Sequence, residues 1–264
     1  MHVDRMFGPA APEHGWVPAP RYLMRRARIL AMSRDLKPGE ALEVGCGAGM
    51  LLQEFARRGF TCTAFESSAQ ALRLAQVLAS EAGVTIAFAD TPQPDWHRRF
   101  EIVMAFEVLE HIEDDRAALM AWASWLRPDG LLLLSVPAHA RYWSAGDEWA
   151  GHYRRYERAE LIRLLRGAGL EVEHIECYGY PITNLGERLS ARSYARRLRG
   201  GMHEIADRRA STDRSGIERG VHVKMYPLLR SPLGRMGLAA CLAVQRLFLS
   251  TDLGTGYLLR ARPA

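Results

Sequence analysis

The segment LEVGCGAGMLL, residues 42–52, constrains the fold more than any other part of the chain. Gly45, Gly47 and Gly49 fill alternate positions between an apolar run ending at Val44 and a stretch where Leu51, Leu52, Phe55 and Ala56 recur at helical spacing. An apolar strand, a glycine turn and an amphipathic helix open a βαβ unit, in which glycine allows both a sharp turn and close approach of a ligand to the backbone. The same turn serves several nucleotide cofactors, so it selects none by itself.

The rest of the chain extends that unit. Short apolar runs alternate with helical periodicity from Glu40 to Leu170, the pattern of a parallel sheet covered by helices. Strands are predicted at Ala41–Val44, Thr61–Phe65, Val84–Ala89, Phe100–Phe106, Leu131–Val136, Leu170–Tyr178 and Gly256–Arg262. The expected fold is α/β: a doubly wound, Rossmann-like, mostly parallel seven-stranded sheet with a helical insertion before the last strand. The expected division is an N-terminal arm and helix (1–34), a cofactor-binding core (35–180), a basic helical insertion or lid (181–252) and a terminal strand completing the sheet (253–264). The Pro/Ala-rich arm before residue 20 and the Gly/Arg-rich stretch Arg196–Gly220 read as the least rigid segments.

Composition narrows the function classes. A hydrophobic content of 48% is ordinary for a globular chain. Residues 1–34 lack the basic, apolar, small-residue order of a secretory signal, and the apolar stretch Met236–Ser250 is broken by Gln245 and Arg246, so a cytoplasmic protein without a membrane span is expected. Cys46, Cys62, Cys177 and Cys241 are scattered, which argues against a disulfide framework and a metal site alike. The net charge of +5 is uneven: residues 181–250 hold 13 Lys/Arg against 5 Asp/Glu.

Polar residues at the predicted strand ends suggest the ligand. A pyrophosphate fingerprint needs a further glycine beyond Gly49, where this chain has only Met50, Leu51 and Leu52, and Glu43 stands inside the strand end. Glu66 ends the second strand, where a carboxylate can accept from both hydroxyls of a ribose. Asp90 ends the third and could accept from an exocyclic amine, and Phe106–Glu107 end the fourth. That row suits a nucleoside that has an amine and carries positive charge.

With LEVGCGAG (42–49), AFESS (64–68), AFAD (87–90), FEIVMAFEVLEHIED (100–114) and LRPDGLLLLSVP (126–137), the chain resembles the class I S-adenosylmethionine-dependent methyltransferases, of the group that includes ubiquinone-biosynthesis O-methyltransferases. The resemblance implies S-adenosylmethionine as cofactor and methyl transfer as reaction. By it, Gly45, Gly47 and their loop, with Glu43, Cys46 and Gly49, hold the methionine part, Glu66 with Ser67 the ribose, and Asp90 with Thr91 the adenine. By the same resemblance Phe106 and Glu107 form the far side of the sulfonium pocket, with His111 in this set; Tyr22, in the arm PRYLMRRARIL, is expected to close the other side of the site.

Methyl transfer from a sulfonium is an in-line displacement that needs alignment and exclusion of water. A hydroxyl acceptor also needs a base, whereas an amine need only be neutral. The segment VPAHARYWSAGDEWAGHYRRYE (136–157) supplies two candidates, His139 and His152, beside the candidate acceptor residues Tyr142, Trp143, Tyr153 and Arg155. Tyr180, Asn184 and Arg188 in the insertion could face the same acceptor, and the arginine excess would suit an anionic group. The expected partner is a small-molecule acceptor, anionic or lipid-linked, methylated on oxygen or nitrogen. Cyclisation or aminocarboxypropyl transfer with the same cofactor stays open. A nucleic-acid methyltransferase is disfavoured, because the basic residues lack interleaved aromatics and no RNA-binding module is visible. The stretch Leu238–Leu249 leaves peripheral membrane contact open, and both monomer and homodimer are compatible with the sequence.

Overall fold

A computed structural model of the chain describes residues 2–199 and 219–264. The strand hydrophobicity predicted above is resolved into two separate cores by simple alternation. On one face of the sheet, Leu42, Val44, Val103, Ala105, Leu132 and Leu134 pack with Leu119, Trp122, Trp125, Leu161 and Leu165. On the other, Ala41, Ile102, Met104, Leu131 and Leu133 pack with Ile29, Leu52, Phe55 and Ala75. A strand buried on both faces has no polar side to show, which is why these segments read as continuous apolar runs.

The elements in chain order are β1 (His2–Asp4), β2 (Gly8–Ala10), α1 (Pro20–Met32), β3 (Glu40–Val44), α2 (Met50–Arg57), β4 (Thr61–Phe65), α3 (Ala69–Glu81), β5 (Ile86–Ala89), β6 (Phe100–Phe106), α4 (Asp115–Trp125) and β7 (Leu126–Pro137). They continue with α5 (Ala145–Ala150), α6 (Arg158–Gly167), β8 (Leu170–Tyr178), α7 (Ile182–Arg199), α8 (Gly220–Arg230), α9 (Pro232–Arg246) and β9 (Gly256–Pro263). The main sheet is ordered β5-β4-β3-β6-β7-β9-β8. β9 runs antiparallel to both its neighbours, and the remaining pairs are parallel. Because the chain winds outward in opposite directions from β3 and β6, a crevice opens at their carboxyl ends, where α/β sheets bind ligands. That switch point brings the glycine turn after β3 next to Glu107 after β6.

Two expectations need correction. The arm before residue 20 is packed rather than loose: β1 and β2 form a hairpin, Phe7, Ala10 and Val17 are buried with Leu23, Tyr226 and Leu238, and Ala11 and Trp16 with Ala48, Met50 and Leu78. The prolines that suggested an irregular arm are interleaved with apolar residues, and burial of those residues outweighs the lack of regular structure. β7 begins at Leu126, not Leu131, because its first residue pairs with Phe100 before a register shift. Most of Arg196–Gly220 lies outside the described residues. Among the described residues, no helix is long and apolar enough to cross a membrane.

Candidate active site

The glycine turn is held in a shape that side chains resist. Gly45, Gly47 and Gly49 have φ of 63°, 54° and 68°, the left-handed region. A Cβ on Gly45 would stand 2.5 Å from Cγ2 of Val108. The turn is fastened from the neighbouring strand: Gly45 N donates to Phe65 O at 2.7 Å, and Gly47 N donates to Oε2 of Glu66 at 2.8 Å. The other oxygen of Glu66 accepts from Ser68 N at 2.9 Å, so one carboxylate braces both loops. Beneath them Glu43 is buried, and its Oε2 has no hydrogen-bond partner among the described residues. Burial pushes this carboxyl up to about 8, with the charge of Arg25 only partly opposing. A buried carboxyl with a spare oxygen is a place for a cationic ligand group.

The end of β6 forms the opposite wall. Glu107 adopts φ 59° and accepts from Arg21 Nη2 at 2.6 Å, the Tyr178 hydroxyl at 3.0 Å and Ser135 Oγ at 3.1 Å. Arg25 Nη1 lies 3.3 Å from it. Burial alone would raise this carboxyl, but Arg21 and Arg25 hold it down at about 2, so it is a permanent anion. Three residues on, Glu110 is fully buried with neither carboxyl oxygen hydrogen-bonded to a described residue. Burial, reinforced by the charge of Glu107, drives Glu110 well above the usual range. Burial, then the neighbouring His152, pushes His111 down to about 3. A neutral acid and a neutral imidazole therefore stand beside a fixed carboxylate at neutral pH.

His152 enters this group from the loop between α5 and α6. Its Nδ1 lies 2.9 Å from Oδ1 of Asp147, its Nε2 lies 3.9 Å from Oε1 of Glu110, and its ring meets His111 edge-on at 4.7 Å. Donor atoms of Glu110, His111 and His152 lie within 4.8 Å of one another, close enough to share a cation. Arg155 Nε donates to Asp147 at 2.8 Å, and its Nη2 reaches Glu187 of α7 at 3.3 Å. Glu187 in turn accepts from Arg21 at 2.8 Å. An unbroken run of opposite charges thus joins Glu107, Arg21, Glu187, Arg155 and Asp147 to His152. It ties α1 and α7 to the same wall.

A family model described as "Methyltransferase domain" matches residues 19–175, more than half of the chain. The ubiquinone biosynthesis O-methyltransferase of Xanthomonas euvesicatoria is 30% identical over 203 residues, covering 70% of this chain and 82% of that protein. The chain belongs to the class I S-adenosylmethionine-dependent methyltransferases. Its fold is shared by the [4+2]-cyclase SpnF (TM-score 0.57, 21% identity, 99% of this chain and 87% of that one). It is shared too by phosphoethanolamine N-methyltransferase 2 of Haemonchus contortus in complex with S-adenosyl-L-methionine (TM-score 0.54, 16% identity, 90% and 52%).

The cofactor of this methyltransferase is S-adenosylmethionine, and the crevice has the chemistry to take it. The spare oxygen of Glu43 suits the cationic end, and the loop of Gly45, Cys46, Gly47 and Gly49 offers close backbone approach. Glu66 and the exposed Ser67, Asp90 and Thr91 line the ends of β4 and β5, and Phe106 is buried beside Glu107. Tyr22 packs edge-on against Trp16 at 5.5 Å, and its hydroxyl has no partner among the described residues.

The structure separates the two histidines that the sequence presented as equivalents. His139 does not share the group around Glu107. Its Nδ1 lies 3.1 Å from Glu157 at the start of α6, and its Nε2 faces the Tyr257 hydroxyl of β9 at 3.5 Å and Cys177 Sγ of β8 at 4.0 Å, so both ring nitrogens are engaged. Tyr142 packs against His139 at 5.6 Å and meets Asn184 Nδ2 at 3.3 Å, and Trp143 is 40% exposed. Arg155 is buried between Asp147 and Glu187 rather than open to a ligand, because two carboxylates already claim its donors. Tyr153 follows His152 directly, and its N–H donates to Glu110 O at 2.8 Å. Tyr180 packs on Phe248 at 4.7 Å. The side chain of Arg188 lies outside the described residues. Arg21, Arg25, Glu110, Asp147 and Glu187 were not singled out from sequence. Asp147 had a readable signal, since it stands five residues before His152 in a segment already selected for its histidines.

Proposed function

We propose that this methyltransferase transfers the methyl group to a hydroxyl oxygen of a small acceptor and that His152 takes the hydroxyl proton. The observation that carries the reading is the placement of His152: Nδ1 is committed to Asp147, while Nε2 faces Glu110 in the group that includes Glu107. The name of the curated Xanthomonas relative supports oxygen over nitrogen as the acceptor atom.

Bound S-adenosylmethionine supplies an electrophilic methyl group. Glu43 and the glycine turn hold its charged end, Glu66 its ribose, and Asp90 with Thr91 its base. Glu107, kept ionised by Arg21 and Arg25, provides a fixed negative charge on the sulfonium side. Glu110, kept neutral by burial, donates a hydrogen bond to the acceptor, and His152 removes its proton at Nε2. Tyr153, next to His152, borders the acceptor's path, and the helices α7, α8 and α9 act as a lid that excludes water. The arginine excess of that insertion supports an acceptor with an anionic group, whether free or lipid-linked.

The test is incubation with S-adenosylmethionine carrying a deuterated methyl group and a panel of phenols, aliphatic alcohols and amines, read by mass spectrometry. S-adenosylhomocysteine together with an O-methylated product supports the reading. Methylthioadenosine, or a product labelled only on nitrogen, would remove it.

A further inference from the structure

The last helix of the insertion turns two different faces to its surroundings. The inner face of α9 carries Leu238 and Leu242, which pack with Phe7, Leu23 and Tyr226, and the buried Gln245. Gln245 Nε2 donates to Met24 O at 3.2 Å and its Oε1 accepts from Gly179 N at 3.2 Å, so the helix is fastened to α1 and to the chain leaving β8. The outer face is formed by Leu233, Met236, Ala240 and Val244, with Leu247 just beyond the last turn. All five are exposed, Leu233 at 79%, Met236 at 67% and Leu247 at 74%. Single exposed apolar side chains are ordinary on a protein surface, but the spacing i, i+3, i+7, i+11, i+14 makes one continuous stripe along a helix. The apolar stretch Leu238–Leu249 is thus divided between a core contact and a surface.

The flank of the same helix supplies charge. Arg235, Leu242 and Arg246 line an open groove with Arg34, which follows α1, and with Arg57 and Arg58 at the end of α2. Glu54, which also lines it, is paired with Arg26, and Asp4 is paired with Arg235. The chain from Arg219 to Thr251 holds five Lys/Arg and no Asp or Glu. A second copy of this face would therefore meet like charge, which opposes self-association through it. A stripe of Leu, Met, Ala and Val offers no hydrogen bond to a polar protein surface either. An anionic bilayer matches both features, its acyl chains taking the stripe and its phosphates the arginines. The fifteen residues of α9 rise about 22 Å, short of the hydrocarbon thickness, and its inner face is tied to the body, so the helix would lie in the interface.

We propose that the outer face of α9 and the arginine groove beside it dock this enzyme on an anionic phospholipid surface. The contact is independent of which acceptor atom is methylated. Because α9 rests on α1, whose Arg21 and Arg25 hold Glu107, docking brings the crevice close to the lipid surface. An acceptor with a long apolar tail would then reach the site without leaving the bilayer entirely.

The experiment is flotation of the whole chain with vesicles of phosphatidylcholine alone or mixed with phosphatidylglycerol, at low and at high salt. The wild type is expected to float with the anionic vesicles about tenfold more than with the neutral ones, and to lose that preference as salt is raised. L233Q/M236Q/L247Q leaves the charge unchanged, and R34Q/R57Q/R246Q leaves the stripe unchanged. Each lowers partitioning by about tenfold or more while S-adenosylhomocysteine affinity is kept. M120Q, at an exposed apolar side chain of α4, changes nothing. Failure of the wild type to float, or equal flotation with both vesicles at every salt, overturns the proposal, and neither result needs a variant to fold. Undiminished flotation by L233Q/M236Q/L247Q that still binds S-adenosylhomocysteine overturns it as well. A wild-type dimer in sedimentation that M236Q dissociates would give the face to a second copy of the chain and overturn it too.

Discussion

The Tyr178 hydroxyl, at the end of β8, donates to Oε1 of Glu107 at 3.0 Å and so links the edge strand of the sheet to the end of β6. Arg21 and Arg25 reach the same carboxylate from α1. One anion therefore collects three elements that are far apart in sequence.

Replacing Glu107 with Gln should expose that dependence. The guanidinium groups of Arg21 and Arg25 would lose their shared charge, and breaking a largely buried pair costs about 3 kcal/mol. The depressed carboxyl contributes stability above its unfolded value of 4.5, and that contribution is lost as pH falls towards about 2. Urea unfolding should show E107Q clearly weaker than wild type at neutral pH, with the gap narrowing steadily as acid is added below the unfolded value.

Gly45 tests the turn by two separable effects. An alanine there must hold φ near 63° and would also press on Val108. The expected loss is about 2 kcal/mol of stability together with most cofactor affinity. Truncating Val108 to Ala in the same chain should recover the steric part and leave the backbone part, which thermal unfolding and calorimetry would resolve.

Glu43 predicts a proton count. Its carboxyl, raised from 4.5 to about 8 by burial, is mostly neutral in the free protein at neutral pH. A cationic ligand group beside it lowers that value, so binding releases a proton and affinity rises with pH until the free carboxyl is ionised. Calorimetry in buffers of different ionisation enthalpy should report this release for S-adenosylmethionine, and E43Q should abolish it.

Glu66 braces the loops at Gly47 and Ser68, one carboxylate oxygen accepting from each backbone N–H. Alanine there should weaken S-adenosylmethionine binding by about a hundredfold, close to 3 kcal/mol, as charge-assisted hydrogen bonds are lost. A tenfold smaller effect for E66Q, measured by the same titration, would fit the loss of charge with the shape kept.

The sheet was legible because its signals are local. Thr61–Phe65 and Phe100–Phe106 are β-prone, largely apolar runs, Leu170–Tyr178 intersperses apolar with charged residues, and the structure has strands over the same residues. The glycine turn and the acidic strand ends were readable for the same reason. The network behind Glu107 was not, since Arg21 and Glu187 look like solvated charges and Arg155 like an acceptor contact until α1 and α7 bring them together. Nothing in the local pattern around His139 and His152 distinguished them either. The contacts of His139 with Glu157, Cys177 and Tyr257, which come from elements distant in sequence, set it apart.

The central claim is that His152, and not His139, serves the acceptor. Single-turnover transfer to a phenol by H152Q and H139Q, with S-adenosylhomocysteine affinity measured alongside, tests it most directly. The account predicts that H152Q loses transfer by about a hundredfold or more while binding the product as wild type does, whereas H139Q loses stability before rate. Full transfer by H152Q with transfer abolished in a folded H139Q would contradict it.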